Sequence, residues 1–290
     1  MTSIDMSSSR SLPRVDIGEG PTLLALHAYG MQARAYLPLA QQLHHRLRVV
    51  IPDLFALSQW RELWTFQHLR DCLMYTLDDL GIERVTVIGH SFGGGLALGL
   101  AAQHADRIDE CVFVDTLGPK RQLSLAREAA RPIGLLHTAS RPAAMSFLWM
   151  WMTHPIQLAS AAVDGYFSKR DTDIDELRRR GLSCHVLWAA DDEILSRQDG
   201  EDFARRLNAS FTLAEQPPGD APLTHDWIID RPEVFVTYLD KLGLRILRHA
   251  HVLGDSTTAQ SRPHLESEDL GEEGCNGKRK LSSTSSFPRR

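Results

Sequence analysis

The sequence predicts an α/β fold: a mostly parallel central sheet flanked by helices, with a helical cap inserted between two strands. Three observations predict it. Short apolar runs, β-branched or Leu-rich and bounded by Gly or Pro, recur through the middle of the chain. Helical patterns separate them. The alternation then stops over residues 118–181, where helix-like segments follow one another with no convincing strand. Parallel strands are covered on both faces, so they read as continuous apolar runs rather than alternating ones.

The strands are expected at TLLALHA (22–28), RVVIPDL (48–54), VTVIG (85–89), CVFVD (111–115) and CHVLWA (184–189), with FTLAE (211–215) a weaker case. Helices are expected over 34–46, 65–80, 92–104, 197–207 and 231–247, and Asp78-Asp79-Leu80-Gly81 marks a helix end before a strand. The core therefore comprises 15–117 and 182–248, and the cap 118–181, which carries GLLHTA, AAMSFLWMWM and IDELRRRG. Residues 1–14 are Ser-rich with little to bury, and 249–290 are polar with balanced charge, so both are expected to be disordered tails. Lys278-Arg279-Lys280 reads as a solvated charge run.

Composition narrows the function. In 290 residues, 32 Lys and Arg face 37 Asp and Glu, a net charge of −5, which lacks the basic footprint of a nucleic-acid partner. Cysteines at 72, 111, 184 and 275 have neither zinc-site spacing nor the density of a disulfide framework. Ahead of the C-terminal tail no two histidines form an H-x-x-x-H or H-x-H unit, so no metal and no cofactor are expected. The N-terminus has no apolar leader and no stretch approaches 18 consecutive apolar residues, so the expectation is a cytoplasmic protein without a transmembrane segment. Oligomeric state is not legible.

The chemistry is carried by Ser91. It sits in VTVIGHSFGGGLALGLAAQHA, where a strand runs into Gly89-His90-Ser91-Phe92-Gly93 and a small-residue helix follows. G-x-S-x-G at a strand-to-helix turn is a nucleophile elbow. The turn strains the serine backbone, and glycines two positions either side remove Cβ groups that would clash. The helix N-terminus favours developing negative charge, and its first amide can donate to an oxyanion. A serine hydroxyl is a weak nucleophile near neutral pH, so a base and an orienting acid must follow. WAADDEIL offers Asp191 and Asp192 just past a strand, and GDAPLTHDWIIDRPEVF places His225 in a loop before the last helix. Asp115, after an earlier strand, is the alternative acid. His27 is expected to brace its loop rather than titrate.

With these residues in place, residues 15–248 resemble the α/β-hydrolase superfamily, of the lidded type that includes esterases, lipases and carbon–carbon bond hydrolases. The HGxxG loop is matched by His27-Ala28-Tyr29-Gly30, and the D-x-x-G-x-G-x-S loop weakly by Asp53 to Ser58. The acid loop is matched by Ala189-Ala190-Asp191-Asp192, which points to Asp192, and the histidine loop by His225 with Pro232-Glu233-Val234-Phe235. Ala28, Ala56 and Ala189 stand where the family usually has Gly. The resemblance implies a serine hydrolase in which Ser91 attacks, His225 takes the proton, Asp192 orients the imidazole, and the amides of Tyr29 and Phe92 hold the oxyanion. It implies a small or medium hydrophobic ester-like substrate and an acyl-enzyme. Trp149 and Trp151, in the cap's Phe147–Met152 run, are expected to line an apolar pocket over Ser91. The same residues also suit a carbon–carbon hydrolase or a cofactor-free haloperoxidase, and the alternative of another class is a non-catalytic binding protein on this scaffold.

Overall fold

The computed structural model describes residues 11–56, 63–116, 118, 141–167 and 170–248. Among these, seven strands form one sheet: β1 (Arg14–Ile17), β2 (Thr22–Leu26), β3 (Arg48–Pro52), β4 (Val85–His90), β5 (Ile108–Val114), β6 (Ser183–Ala189) and β7 (Ser210–Ala214). Their order is β1-β3-β2-β4-β5-β6-β7. β1 runs antiparallel to β3, and every other neighbouring pair is parallel.

Period-2 geometry sends alternate side chains to opposite faces of this sheet. Val85 and Val87 of β4 and Cys184, Val186 and Trp188 of β6 enter one apolar cluster. There they meet α2 (Phe66–Asp79), α3 (Phe92–Gln103) and α7 (Arg197–Leu207) through Leu69, Leu73, Leu96, Leu100 and Phe203. Ile88 of β4 and Leu187 and Ala189 of β6 point the other way, into a cluster closed by α1 (Leu37–Leu43) and α9 (Pro232–Leu242). Both faces are covered, and the central strands are accordingly mostly apolar.

Local signals set the helix ends. Thr65 caps α2 by accepting from the His68 amide, and Ser196 with Asp199 forms a reciprocal capping box on α7. Between β5 and β6 lie α4 (Arg141–Thr153), α5 (Pro155–Phe167) and α6 (Asp171–Arg180). The rest of the expected cap, apart from Gly118, His154, Arg170 and Gly181, lies outside the described residues, as do residues 1–10 and the expected C-terminal tail at 249–290.

Two boundaries differ from expectation. Residues 11–14 belong to the fold: Leu12 is fully buried, its amide donates to Thr76 Oγ1 at 2.9 Å, and Arg14 opens β1. The expected helix over 231–247 is broken after Leu242, because Gly243 takes a left-handed conformation at φ +62° and closes it, and a short helical turn follows at 245–248.

The topology also locates a crevice. From β2 the chain goes to β3 on one side of the sheet and then to β4 on the other, so β2 and β4 flank the point where the winding reverses. Loops leaving the C-terminal ends of strands diverge at such a point and leave room for a ligand.

Candidate active site

Ser91 stands at that point. It follows β4 directly and precedes α3, with φ +53° and ψ −114°, a region a non-glycine residue rarely occupies. Its amide donates to the Val114 carbonyl at 2.9 Å, which holds the turn against β5. The flanking glycines are required by space. A Cβ on Gly89 would lie 2.6 Å from the Gly94 Cα, and one on Gly93 would overlap the Leu26 carbonyl. As the first residue of α3, Phe92 has an amide without an intrahelical acceptor.

The acid and histidine arrive on loops after β6 and after β7. His225 Nδ1 donates to Asp192 Oδ2 at 2.8 Å, with both side chains almost fully buried. The other Asp192 oxygen accepts from the amides of Ile194 and Leu195, at 2.7 and 2.8 Å. Asp191 is exposed. The His225 amide donates to Glu193 Oε2 at 3.1 Å. Burial alone would lower the His225 pKa, but the charge and hydrogen bond of Asp192 outweigh it, with Asp115 and Asp226 adding, and raise it to about 9. Burial opposes ionisation of Asp192 as well, yet His225 and the two amides hold its pKa below the ordinary value.

Asp115, the alternative acid, is fully buried in the turn after β5 at φ +42°. Its oxygens accept from the Ala189 amide at 2.8 Å and from Trp227 Nε1 at 2.7 Å. Burial, then the neighbouring Asp192 charge, pushes its pKa well up. Asp226, at the start of α8 (Trp227–Asp230), is raised to about 6, mainly by burial.

The loop after β2 lies across the crevice. His27 Nδ1 donates to the Ala28 carbonyl at 3.0 Å, and its Nε2 accepts from the Leu54 amide at 2.9 Å, so it braces two loops. The Ala28 amide donates to Tyr36 Oη at 3.0 Å. Tyr29 meets the rings of Phe55, Phe92 and Phe147 at centroid distances of 5.9, 5.8 and 6.3 Å. Its hydroxyl donates to the Leu158 carbonyl of α5 at 2.8 Å. Trp151 packs against Phe147 at 6.1 Å, whereas Trp149, on the same helix, is 58% exposed.

The structure thus brings Ser91, Asp192, His225, Tyr29 and Phe92 to one end of the sheet, with Trp151 nearby and Trp149 turned to the surface. Sequence reasoning missed Tyr36, and it treated His90 as the variable residue of the elbow. Tyr36 Oη lies 2.6 Å from His90 Nδ1, and His90 Nε2 lies 2.9 Å from the His225 carbonyl. No local motif announces Tyr36; strand alternation does place His90 on the opposite side of β4 from Gly89. Among the described residues, no group of three or more His, Cys, Asp or Glu side chains is placed to hold a metal ion.

Comparison with known proteins agrees with this architecture. Residues 21–151 match the family model of the alpha/beta hydrolase fold. A non-heme haloperoxidase-like protein of Mycobacterium phage D29 is 26% identical over 82% of this chain and 93% of its own. The 2-hydroxymuconate semialdehyde hydrolase of Pseudomonas sp. strain CF600 is 31% identical, over 36% of this chain and 39% of its own. The solved structure of a thermophilic esterase from Thermogutta terrifontis superposes with a TM-score of 0.65 at 21% identity, covering 83% of this chain and 94% of that one. With a parallel sheet, a strained serine between β4 and α3, and a histidine–carboxylate pair on the following loops, the chain has the alpha/beta-hydrolase fold.

Proposed function

We propose that the chain is a serine hydrolase that cleaves an ester-type bond of a small or medium hydrophobic substrate. The observation that carries this reading is the 2.8 Å bond from His225 Nδ1 to Asp192, on loops beside a serine in strained backbone. A carboxylate can only accept, so Nδ1 bears the proton and Nε2 is free to take one from Ser91. Ser91 Oγ attacks the carbonyl carbon as His225 removes its proton. The amides of Phe92 and Tyr29 receive the oxyanion, since the Ala28 amide is already engaged by Tyr36. The imidazolium then protonates the departing alkoxide, leaving an acyl-enzyme. Water, activated by the same imidazole, releases the acid and restores Ser91.

The rings of Tyr29, Phe55, Phe92 and Phe147 support a hydrophobic acyl or alcohol group. In this reading α4 and α5 serve as the cap, tied to the core by the Gln32 amide on Ser146 Oγ at 3.0 Å and the Trp64 amide on Ser160 Oγ at 2.9 Å. Ser91→Ala should abolish hydrolysis of a short p-nitrophenyl ester and labelling by a fluorophosphonate probe, with the melting temperature preserved. Hydrolysis retained in that variant would refute the assignment. The similarity to 2-hydroxymuconate semialdehyde hydrolase gives a second reading, carbon–carbon cleavage by the same residues. Assaying the wild type on that substrate beside the ester separates the two.

A further inference from the structure

We infer that His90 is a positioning residue which, with Tyr36, ties the loop bearing the Tyr29 amide to the loop bearing His225. The inference rests on the serine-hydrolase reading.

The hydrogen bonds have one consistent direction. The His225 carbonyl can only accept, so the proton on His90 lies on Nε2, 2.9 Å away. In the neutral ring Nδ1 is then an acceptor and takes the Tyr36 hydroxyl proton at 2.6 Å. Tyr36 Oη in turn accepts from the Ala28 amide at 3.0 Å. The chain from Ala28 through Tyr36 and His90 to His225 leaves no donor unused along its length. Both side chains are buried, and burial, followed by the charge of His225, keeps His90 neutral with a pKa of about 3. The ionisable groups near its ring are His225, Asp192 and His27.

What raises this above ordinary packing is where the two ends attach. The Ala28 residue is held on both sides, its amide by Tyr36 and its carbonyl by His27 Nδ1 at 3.0 Å. The Ala28 carbonyl and the Tyr29 N–H share one planar peptide unit, so fixing the first aims the second. At the other end, His90 holds the backbone of His225 itself, and the two rings lie 5.0 Å apart. The oxyanion donor and the general base are thereby set relative to each other by two buried side chains, Tyr36 and His90 of β4. Misplacement by a fraction of an ångström at either end costs rate rather than binding.

The test uses the full chain and ester hydrolysis. Tyr36→Phe and His90→Leu should each lower kcat about ten-fold with KM little changed. The double variant should lose no more than the worse single one, because either change breaks the same chain. His90→Gln, whose amide nitrogen can still reach the His225 carbonyl, should recover part of the loss. Multiplying losses in the double variant, or a raised KM at constant kcat, would overturn the inference. If the variants do not fold, the ring-nitrogen NMR shifts of His90 in the unmodified chain decide. A neutral ring protonated on Nε2 from pH 5 to pH 8 is expected, and an imidazolium or an Nδ1–H ring overturns the inference. Hydrolysis surviving in Ser91→Ala would overturn the serine-hydrolase reading and this inference together; with Ser91→Ala inactive, the relay stands or falls alone.

Discussion

The two ends of the parallel strands are built on opposite electrostatic plans. At the N-terminal ends, charge is cancelled in pairs near solvent: Arg84 meets Asp109 at 2.7 Å and Arg107 meets Asp78 at 2.8 Å. The buried carboxylate there, Glu110, accepts from the Arg245 amide at 2.6 Å and faces His185 at 3.7 Å. At the C-terminal ends, Asp115, Asp192 and Asp226 crowd around the His225 imidazole, and Ser91 and Asp115 both have positive φ. Like charges and strained backbone destabilise a fold, and they persist where the surroundings over-determine them. One end stabilises the sheet; in the proposed reading, the other gives up stability for chemistry. Substitutions at the C-terminal ends should therefore move rates, and those at the N-terminal ends should move melting temperatures.

The largest expected effect is at Asp192. Asp192→Asn keeps the shape but offers His225 the wrong partner, and kcat should fall by roughly 10³–10⁴-fold. Asp191→Asn, on an exposed side chain, should stay within about two-fold of wild type. A greater loss in Asp191→Asn would move the acid role to it.

The pH profile sharpens the same contrast. His225 must be neutral to act as a base, and its pKa is about 9, so kcat/KM should keep rising with pH until that region. Asp226 adds negative charge beside the ring, and Asp226→Asn should shift this limb to lower pH. Stability runs the other way. A histidine whose folded pKa exceeds its unfolded value of 6.5 contributes fully below pH 6.5, and that contribution is lost as pH rises through about 9. Melting of Ser91→Ala across this window checks the sign, and a limb centred near pH 6.5 would contradict the His225 environment described here.

At the opposite end, Glu110→Gln should cost about 1–3 kcal/mol of stability, because a buried carboxylate that accepts from the amides of Arg245 and Ile246 becomes a weaker, partly mismatched amide. The kcat of the folded enzyme should not change. A rate effect larger than the stability effect would break the division between the two ends.

The legible part of the molecule was the part encoded locally. Gly89, Ser91 and Gly93 are adjacent in sequence and state their own steric problem. Asp192 and His225 sit just past apolar strands, where loops of this fold carry chemistry. Even the weak FTLAE run forms β7, because β6 supplies its partner. What failed to show depends on tertiary neighbours. β1 is four residues beside a polar terminus, and only pairing with β3 makes it a strand. The Tyr36–His90 contact joins residues 54 apart in the chain, and no spacing rule links them. The helix expected to run unbroken past Leu242 is interrupted for a local reason, a left-handed glycine within an otherwise amphipathic run, and helix resumes only at 245–248.

The smallest effects should come from the tryptophans of α4, and there the contrast between neighbouring residues is sharpest. Trp151 packs against Phe147, which itself touches Tyr29, and its buried indole nitrogen has no hydrogen-bond partner among the described residues. In the proposed reading, the Trp151 ring extends the apolar wall formed by Phe147 and Tyr29. Trp149 shares its helix, but its side chain is 58% exposed, beside Met152 at 79%. Trp151→Ala should raise KM for a hexanoyl ester several-fold more than for an acetate, a difference on the order of 1 kcal/mol. Trp149→Ala should change either value by no more than about 0.5 kcal/mol, as surface substitutions usually do. Equal effects of Trp151→Ala on both esters would make it packing alone, and a chain-length effect confined to Trp149→Ala would require the exposed face of α4 to turn toward the substrate.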